Sequence, residues 1–386
     1  MEAQGRQWRP KFSERVTMAN GDKIRVLVAD DSAFMRKVML SIIDSDGSFE
    51  VVGEARDGRD TVEKSLLLRP DVITMDINMP HMDGLQATEI IMSTEPRPIV
   101  IVSVESRDGA ASTLRALEMG AVDFVAKPTG GVDLDMSSVR DELIRKLRTA
   151  SKVRVIRNLM RSPQPKAAAP PRSGEPAASM PISTPAPNGG RFPIAVLAAS
   201  TGGPATLMKL VPQFPATFAG ALLIIQHMPG AFTQQFAQQL STVSRLPVKQ
   251  AVHNEMMRAG HVYVCPGDCH LRVAPPARII LDHGPRIAGY RPSIDVTLES
   301  VAVLAGSAAA VAVLTGMGND GSRGVLAVQE NGGLVLAQDE ASSVIFGMPQ
   351  EAIKSGAVEQ VLPLDQIAGA ISRRLSVFPR AAKSGE

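Results

Sequence analysis

At 386 residues, 44% hydrophobic and 21% charged, the chain is long enough for two or three domains of about 150 residues, each with its own core. Aromatics make up only 4%, which argues against stacking platforms for nucleobases, and two cysteines cannot build a disulfide framework. The net charge of +2 resolves into +5 between Ser151 and Gly190 and −3 over the rest, so no basic face offers itself to nucleic acid.

Residues 1–21 are polar and mixed in charge, lack the apolar core of a signal peptide and read as a disordered extension. Val- and Ile-rich runs then alternate with amphipathic stretches. The runs are Ile24 to Ala29, Phe49 to Gly53, Asp71 to Met75, Ile99 to Val102 and Val122 to Val125; segments such as Ala33 to Ile43 and Thr113 to Met119 carry apolar residues at helical spacing. Five strands alternating with helices predict a parallel sheet covered on both faces. From Arg161 to Gly190, eight of thirty residues are Pro and six are Ala, which predicts an extended tether within a basic linker over 149–190.

Beyond the tether the alternation resumes. Pro193 to Ala199, Ala221 to Ile225, Ala310 to Leu314 and Gly333 to Ala337 read as buried strands. Ala205 to Val211, Ala231 to Leu240 and Ser322 to Glu330 read as helices, and Ala274 to Ala277 as a hairpin turn between Leu271–Val273 and Arg278–Leu281. The expected organisation is a domain over 22–148, the linker, a second α/β domain over 191–378 and a tail over 379–386. No run reaches the roughly 18 apolar residues of a membrane span. The nearest, Val301 to Leu314, is interrupted by Gly306 and Ser307. Direct membrane insertion is not expected, and a cytoplasmic location is.

Ligands bind outside the carboxyl ends of strands in open parallel sheets. Asp30 and Asp31 follow the first strand, Asp76 ends the third, Ser103 the fourth, and Lys127 follows the fifth. Three converging carboxylates call for a hard cation such as Mg²⁺, while Lys127 and Ser103 suit phosphoryl oxygens. Taken singly, each acid reads equally well as a solvated helix N-cap. As an ordered set they form a pocket for a metal beside a nucleophilic carboxylate.

This set, with Met75-Asp76-Ile77-Asn78-Met79-Pro80 and Met82-Asp83-Gly84, resembles the receiver domain of bacterial response regulators, which implies a flavodoxin-like (βα)5 fold. The resemblance implies that Asp76 is the phosphoacceptor and that Asp30, Asp31 and the backbone carbonyl of Asn78 help bind Mg²⁺. It makes Ser103 the switch hydroxyl and Lys127 the phosphate-contacting lysine, with a histidine kinase as phosphodonor.

In the second domain the first strand runs into Ser200-Thr201-Gly202-Gly203-Pro204, a tight strand-to-helix turn that presents a serine. Alone, such a turn serves a phosphate equally well. Two further strand ends carry Gln226-His227-Met228-Pro229 and Thr315-Gly316-Met317-Gly318-Asn319-Asp320-Gly321. If both strands flank the first, Ser200, His227 and Asp320 converge as nucleophile, base and orienting carboxylate, with amides around Met317 free for an oxyanion.

These motifs, with Tyr263-Val264-Cys265-Pro266-Gly267-Asp268, resemble the chemotaxis protein-glutamate methylesterase family, CheB. The resemblance implies a doubly wound, mostly parallel α/β hydrolytic domain with a β-hairpin excursion. It also implies hydrolysis of glutamate methyl esters and deamidation of glutamines on methyl-accepting chemoreceptors, with no cofactor for hydrolysis. Thr201 and the Met317 amide match its supporting positions. Ala198 stands where the family usually has Gly, and Cys265 and Cys269 lie outside its pattern. Their spacing, with His270 adjacent, offers only three ligands, too few for a structural zinc site. Two other classes compete. One is a non-catalytic, phosphorylation-dependent receptor adaptor or phosphate sink, which has no need of the intact triad. The other is a DNA-binding regulator, for which the second domain is too large and has no basic recognition helix.

Overall fold

The computed structural model describes residues 23–104, 106–127, 136–153 and 192–378. The extension over 1–21, most of the linker and the tail, read from sequence above, lie outside the described residues.

The first unit alternates strand and helix: β1 Ile24–Ala29, α1 Ala33–Asp44, β2 Phe49–Ala55, α2 Gly58–Leu68, β3 Val72–Asp76, α3 Gly84–Thr94, β4 Ile99–Ser103, α4 Arg107–Met119, β5 Asp123–Ala126 and α5 Met136–Ala150. The sheet order is β2-β1-β3-β4-β5, all parallel. β3 and β4 are buried at every position, which is why their sequences are unbroken apolar runs. Side chains start the helices: Ser32, Asp57, Asp83 and Ser106 each accept an N–H three residues on, and Asp83 with Gln86 closes a capping box.

The second unit continues with β6 Ile194–Ala199, α6 Gly203–Leu210, β7 Ala221–Gln226, α7 Gly230–Val243, β8 Val248–Gln250, β9 Val262–Val264, β10 His270–Ala274, β11 Arg278–Asp282, α8 Ile294–Ala305, β12 Ala309–Val313, α9 Gly324–Glu330, β13 Leu334–Gln338, α10 Met348–Lys354, β14 Gln360–Leu362 and α11 Leu364–Ser376. Its seven strands run β14-β13-β12-β6-β7-β9-β8, parallel at every pairing. The expected hairpin β10–β11 is antiparallel and forms a separate two-stranded sheet.

The strands predicted from sequence are present, with ends displaced by one or two residues. One reading needs correction. The helix read over Ser322 to Glu330 begins at Gly324, because the N–H groups of Gly321 and Gly324 are held by the Asp295 carboxylate in a turn. The helically spaced segment Thr113 to Met119 lies within α4, which begins at Arg107, where Ser106 caps it. The apolar stretch Val301 to Leu314 divides into the end of α8, a 3-10 turn at Gly306–Ala308 and β12. Among the described residues, no helix is long and apolar enough to cross a membrane.

The two units are not insulated from each other. One contiguous cluster of buried side chains runs from Leu27, Ile91 and Phe124 of the first to Leu197, Phe232 and Phe236 of the second. The rings of Phe124 and Phe232 lie 4.5 Å apart across the junction.

Candidate functional site

The register of β6 decides where its serine goes. β6 lies between β12 and β7, and Ala199 pairs with Gln226 at the strand end. Ser200 and His227 therefore leave the sheet side by side. The turn after β6 is tied down at Ser200: its N–H donates to Thr315 O (3.0 Å), and its carbonyl accepts from Gly203 N–H (2.8 Å) and the Gln226 side-chain amide (2.9 Å). A Cβ at Gly203 would sit 1.9 Å from the Gln226 Oε1, so only glycine permits this approach.

His227 and Asp320 meet as the sequence predicts, with Nε2 2.9 Å from the carboxylate Oδ2. Nδ1 of His227 is buried with no hydrogen-bond partner, which leaves it as the nitrogen able to take a proton. Ser200 and His227 line a single cavity of about 600 Å³. Asp320 reaches it through His227.

Sequence reasoning missed what holds Asp320. Its oxygens accept from the Ser293 hydroxyl (3.0 Å) and from the N–H groups of Ile294 (2.7 Å) and Asp295 (3.1 Å), at the start of α8. The carboxylate thus sits on the positive end of a helix. Ser293 N–H in turn donates to His270 Nδ1, whose Nε2 pairs with Pro285 O, so His270 is spent on packing this loop. Among the described residues, the Cys265–Cys269–His270 stretch forms no metal-binding group. The signal that was available is Ser293 immediately before an apolar stretch, a helix N-cap pattern.

Burial pushes the Asp320 carboxyl up, but His227 and the α8 amides outweigh it and hold it below the ordinary 3.8. A depressed carboxylate contributes stability that is present above its unfolded pKa and lost as pH falls through its lower folded value. Asp320→Asn should therefore lower the urea midpoint by a margin that shrinks as pH falls below about 4, where the carboxylate itself is protonated. A margin that instead grew as pH fell through that carboxylate range would mean the fold disfavours this charge.

Thr201 and Met317, expected beside the reacting carbonyl, are engaged by the first unit. The Thr201 hydroxyl donates to Asp123 Oδ2 at 2.6 Å, and the Thr149 hydroxyl lies against the Met317 sulfur. Asp123 is itself paired with Lys146 Nζ (3.1 Å), which also pairs with Glu142 (2.9 Å). Burial alone would lower the Lys146 ammonium, yet Asp123 and Glu142 hold it above its ordinary value. Farther out, the Gln239 amide donates to Glu118.

At the other site, the carboxylates of Asp30, Asp31 and Asp76 lie within 4.8 Å of one another. Lys127 Nζ is 2.8 Å from both Asp30 and Asp76. Burial lifts the Asp76 carboxyl above its ordinary value despite Lys127, and Asp30 adds to the rise. One ammonium against three carboxylates leaves a charge deficit that an oxygen-ligated divalent cation fits. The Asn78 backbone is hydrogen-bonded to Asp76. Ser103 is buried at the end of β4, its hydroxyl 3.4 Å from Gly109 O, and its carbonyl accepts from Lys127 N–H (2.7 Å). Lys127 also lines the cavity that holds Ser200.

Comparison with known proteins gives matches over both units. A family model described as CheB methylesterase matches residues 195–371, and one described as response regulator receiver domain matches residues 26–137. A protein-glutamate methylesterase/protein-glutamine glutaminase of Pyrococcus horikoshii is 41% identical over 93% of this chain and 95% of its own length. The protein of the same name from Thermotoga maritima is 41% identical over 89% of this chain and 96% of its own. The crystal structure of the Thermotoga maritima CheB methylesterase catalytic domain is 37% identical, with a TM-score of 0.46, covering 47% of this chain and 98% of that one.

Proposed function

This chain belongs to the CheB methylesterase family, with a receiver domain ahead of the hydrolase, and from that premise we propose a phosphorylation-activated serine hydrolase of the Ser-His-Asp type. It demethylates glutamate methyl esters and deamidates glutamines on methyl-accepting chemoreceptors, in the cytoplasm. The receiver extends over 22–148 and the hydrolase over 191–378, with the 149–190 linker between them. The observation that carries the reading is the opening of Ser200 and His227 onto one cavity, with the base bound to Asp320 on its far side.

In this mechanism Ser200 Oγ attacks the ester carbonyl carbon as His227 Nδ1 takes its proton. The tetrahedral oxyanion is met by the Met317 N–H and the Thr201 hydroxyl, and His227 returns the proton to the leaving methanol. Water then enters by the same route and releases the glutamate, or ammonia leaves first when the substrate is glutamine. Asp320, held ionised, keeps the imidazole in one tautomer and stabilises its protonated form. The Thr201 hydroxyl can serve the oxyanion only after it leaves Asp123. That contact supports a basal state in which the receiver occupies the mouth of the site.

Asp76 accepts the phosphoryl group from a chemotaxis histidine kinase, with Lys127 and Ser103 contacting it. Asp30, Asp31, Asp76 and the Asn78 carbonyl would hold Mg²⁺, which neutralises charge between the carboxylates and the incoming phosphate. Labelling of Asp76 by a small phosphodonor should accordingly require Mg²⁺ or Mn²⁺, and Asp31→Ala should slow it about tenfold or more. Equal labelling in excess chelator removes the metal from the scheme. The function itself is tested by methanol release from a methylated receptor, with and without phosphodonor; no methanol in either condition rules it out.

A further inference from the structure

Between β11 and α8 the chain makes a turn that the triad chemistry leaves unused. Ile287 and Tyr290 exchange both backbone hydrogen bonds, at 3.0 and 2.9 Å, around Ala288 and Gly289. Both central residues have positive φ, +50° and +86°, the geometry of a type I′ turn. Alanine adopts that conformation only at a cost, and such strain persists where neighbouring structure holds it. A Cβ on Gly289 would meet nothing within 4 Å, so local crowding is not what bends the chain here.

The turn delivers Tyr290 to His227. The two rings stack with centroids 4.4 Å apart and planes 16° from parallel. Tyr290 lines the same cavity as Ser200 and His227. Its hydroxyl is wedged against Gly318, where a Cβ would stand 2.2 Å from the phenolic oxygen. Burial pushes the phenol above its ordinary value, so the ring stays neutral through the working pH range.

His227 needs such a partner. A single hydrogen bond from Nε2 to Asp320 fixes one atom of the ring but not its plane, and the torsion that turns an imidazole is broad and soft. Nδ1 has no partner in the protein. We propose that Tyr290 is a positioning residue for the base. Its ring clamps one face of His227, fixes the plane in which Nδ1 takes up the Ser200 proton during the reaction, and keeps water off that face. When His227 takes the serine proton, the same aromatic face lies beside the new positive charge. The inference rests on the reading of His227 as the base.

The test uses the full chain with phosphodonor and a methylated receptor, and reads kcat and KM separately. Tyr290→Phe keeps the ring and should stay within about twofold of the parent. Tyr290→Leu keeps bulk without a flat face and should lower kcat about 10- to 100-fold with KM nearly unchanged. Gly318→Ala should also lower kcat, by driving its methyl into the Tyr290 oxygen. Its cost should be several-fold smaller in the Tyr290→Phe background, because that oxygen is gone while the backbone strain is the same in both. An undiminished kcat in Tyr290→Leu overturns the proposal, as does an equal cost of Gly318→Ala in both backgrounds. The double-mutant comparison decides the matter even if the Leu variant does not fold. If Ser200→Ala kept its activity, the hydrolase reading would fail; an inactive Ser200→Ala beside a fully active Tyr290→Leu defeats only the role of Tyr290.

Discussion

Ser200→Ala should release methanol from a methylated receptor at least about 10⁴-fold more slowly than the parent chain, with its fold intact. Both backbone anchors of Ser200, to Thr315 and Gly203, survive the substitution, and only a hydroxyl from the lining of a cavity is removed. His227→Ala should be comparably inactive. The pair combined should be little worse than either alone, because nucleophile and base act as one device. Asp320→Asn should cost about 10²- to 10⁴-fold, since the amide can hold the wrong imidazole tautomer. It also leaves the Ser293, Ile294 and Asp295 donors facing a group that cannot accept from all of them. Methanol release from Ser200→Ala within tenfold of the parent would exclude the serine mechanism.

The second large effect is regulatory. A small phosphodonor should raise turnover of the parent chain about tenfold, corresponding to about 1.4 kcal/mol between covered and open arrangements. Asp76→Ala should stay at the basal rate with the same donor. The junction gives an independent handle on that equilibrium. Gln239 donates to Glu118 across it, so Gln239→Glu sets two carboxylates against each other without touching the reacting groups. Basal turnover should rise two- to fivefold, the scale of a partly exposed charge pair of about 0.5–1 kcal/mol. The gain should fade near 1 M salt, where charges are screened beyond about 3 Å. A salt-insensitive gain, or none, would mean that the junction does not limit access. Activation of Asp76→Ala by phosphodonor would move the switch elsewhere.

Sequence reasoning brought Ser200 and His227 together because each directly follows a short, apolar, buried parallel strand, and it reached Asp320 through the glycine-rich loop that begins after β12. It reached the acidic pocket for the same reason. It missed α8, whose buried residues Ile294, Thr297, Leu298, Val301, Ala302 and Ala305 keep helical spacing but are blurred in sequence by Val296 and the exposed Val303 off that stripe. The strands β8, β9 and β14 have three residues each, too few for any pattern to stand out. Ser293 and Tyr290 lie 27 and 30 residues before Asp320, and only the folding of the hairpin and α8 onto the sheet edge brings them to it. Asp123 reads from sequence as one more polar residue at a strand start. Its contact with Thr201 spans 78 residues and two sheets, and no local rule encodes it.

The continuous cluster of buried side chains through Phe124 and Phe232 makes the two sheets lend each other stability. Each covers apolar surface that the other would otherwise expose to water. If, as proposed, the units separate to admit substrate, that separation withdraws the contribution from both. On that reading activity and heat resistance are set against each other in this chain, and its most active state is also its most easily melted.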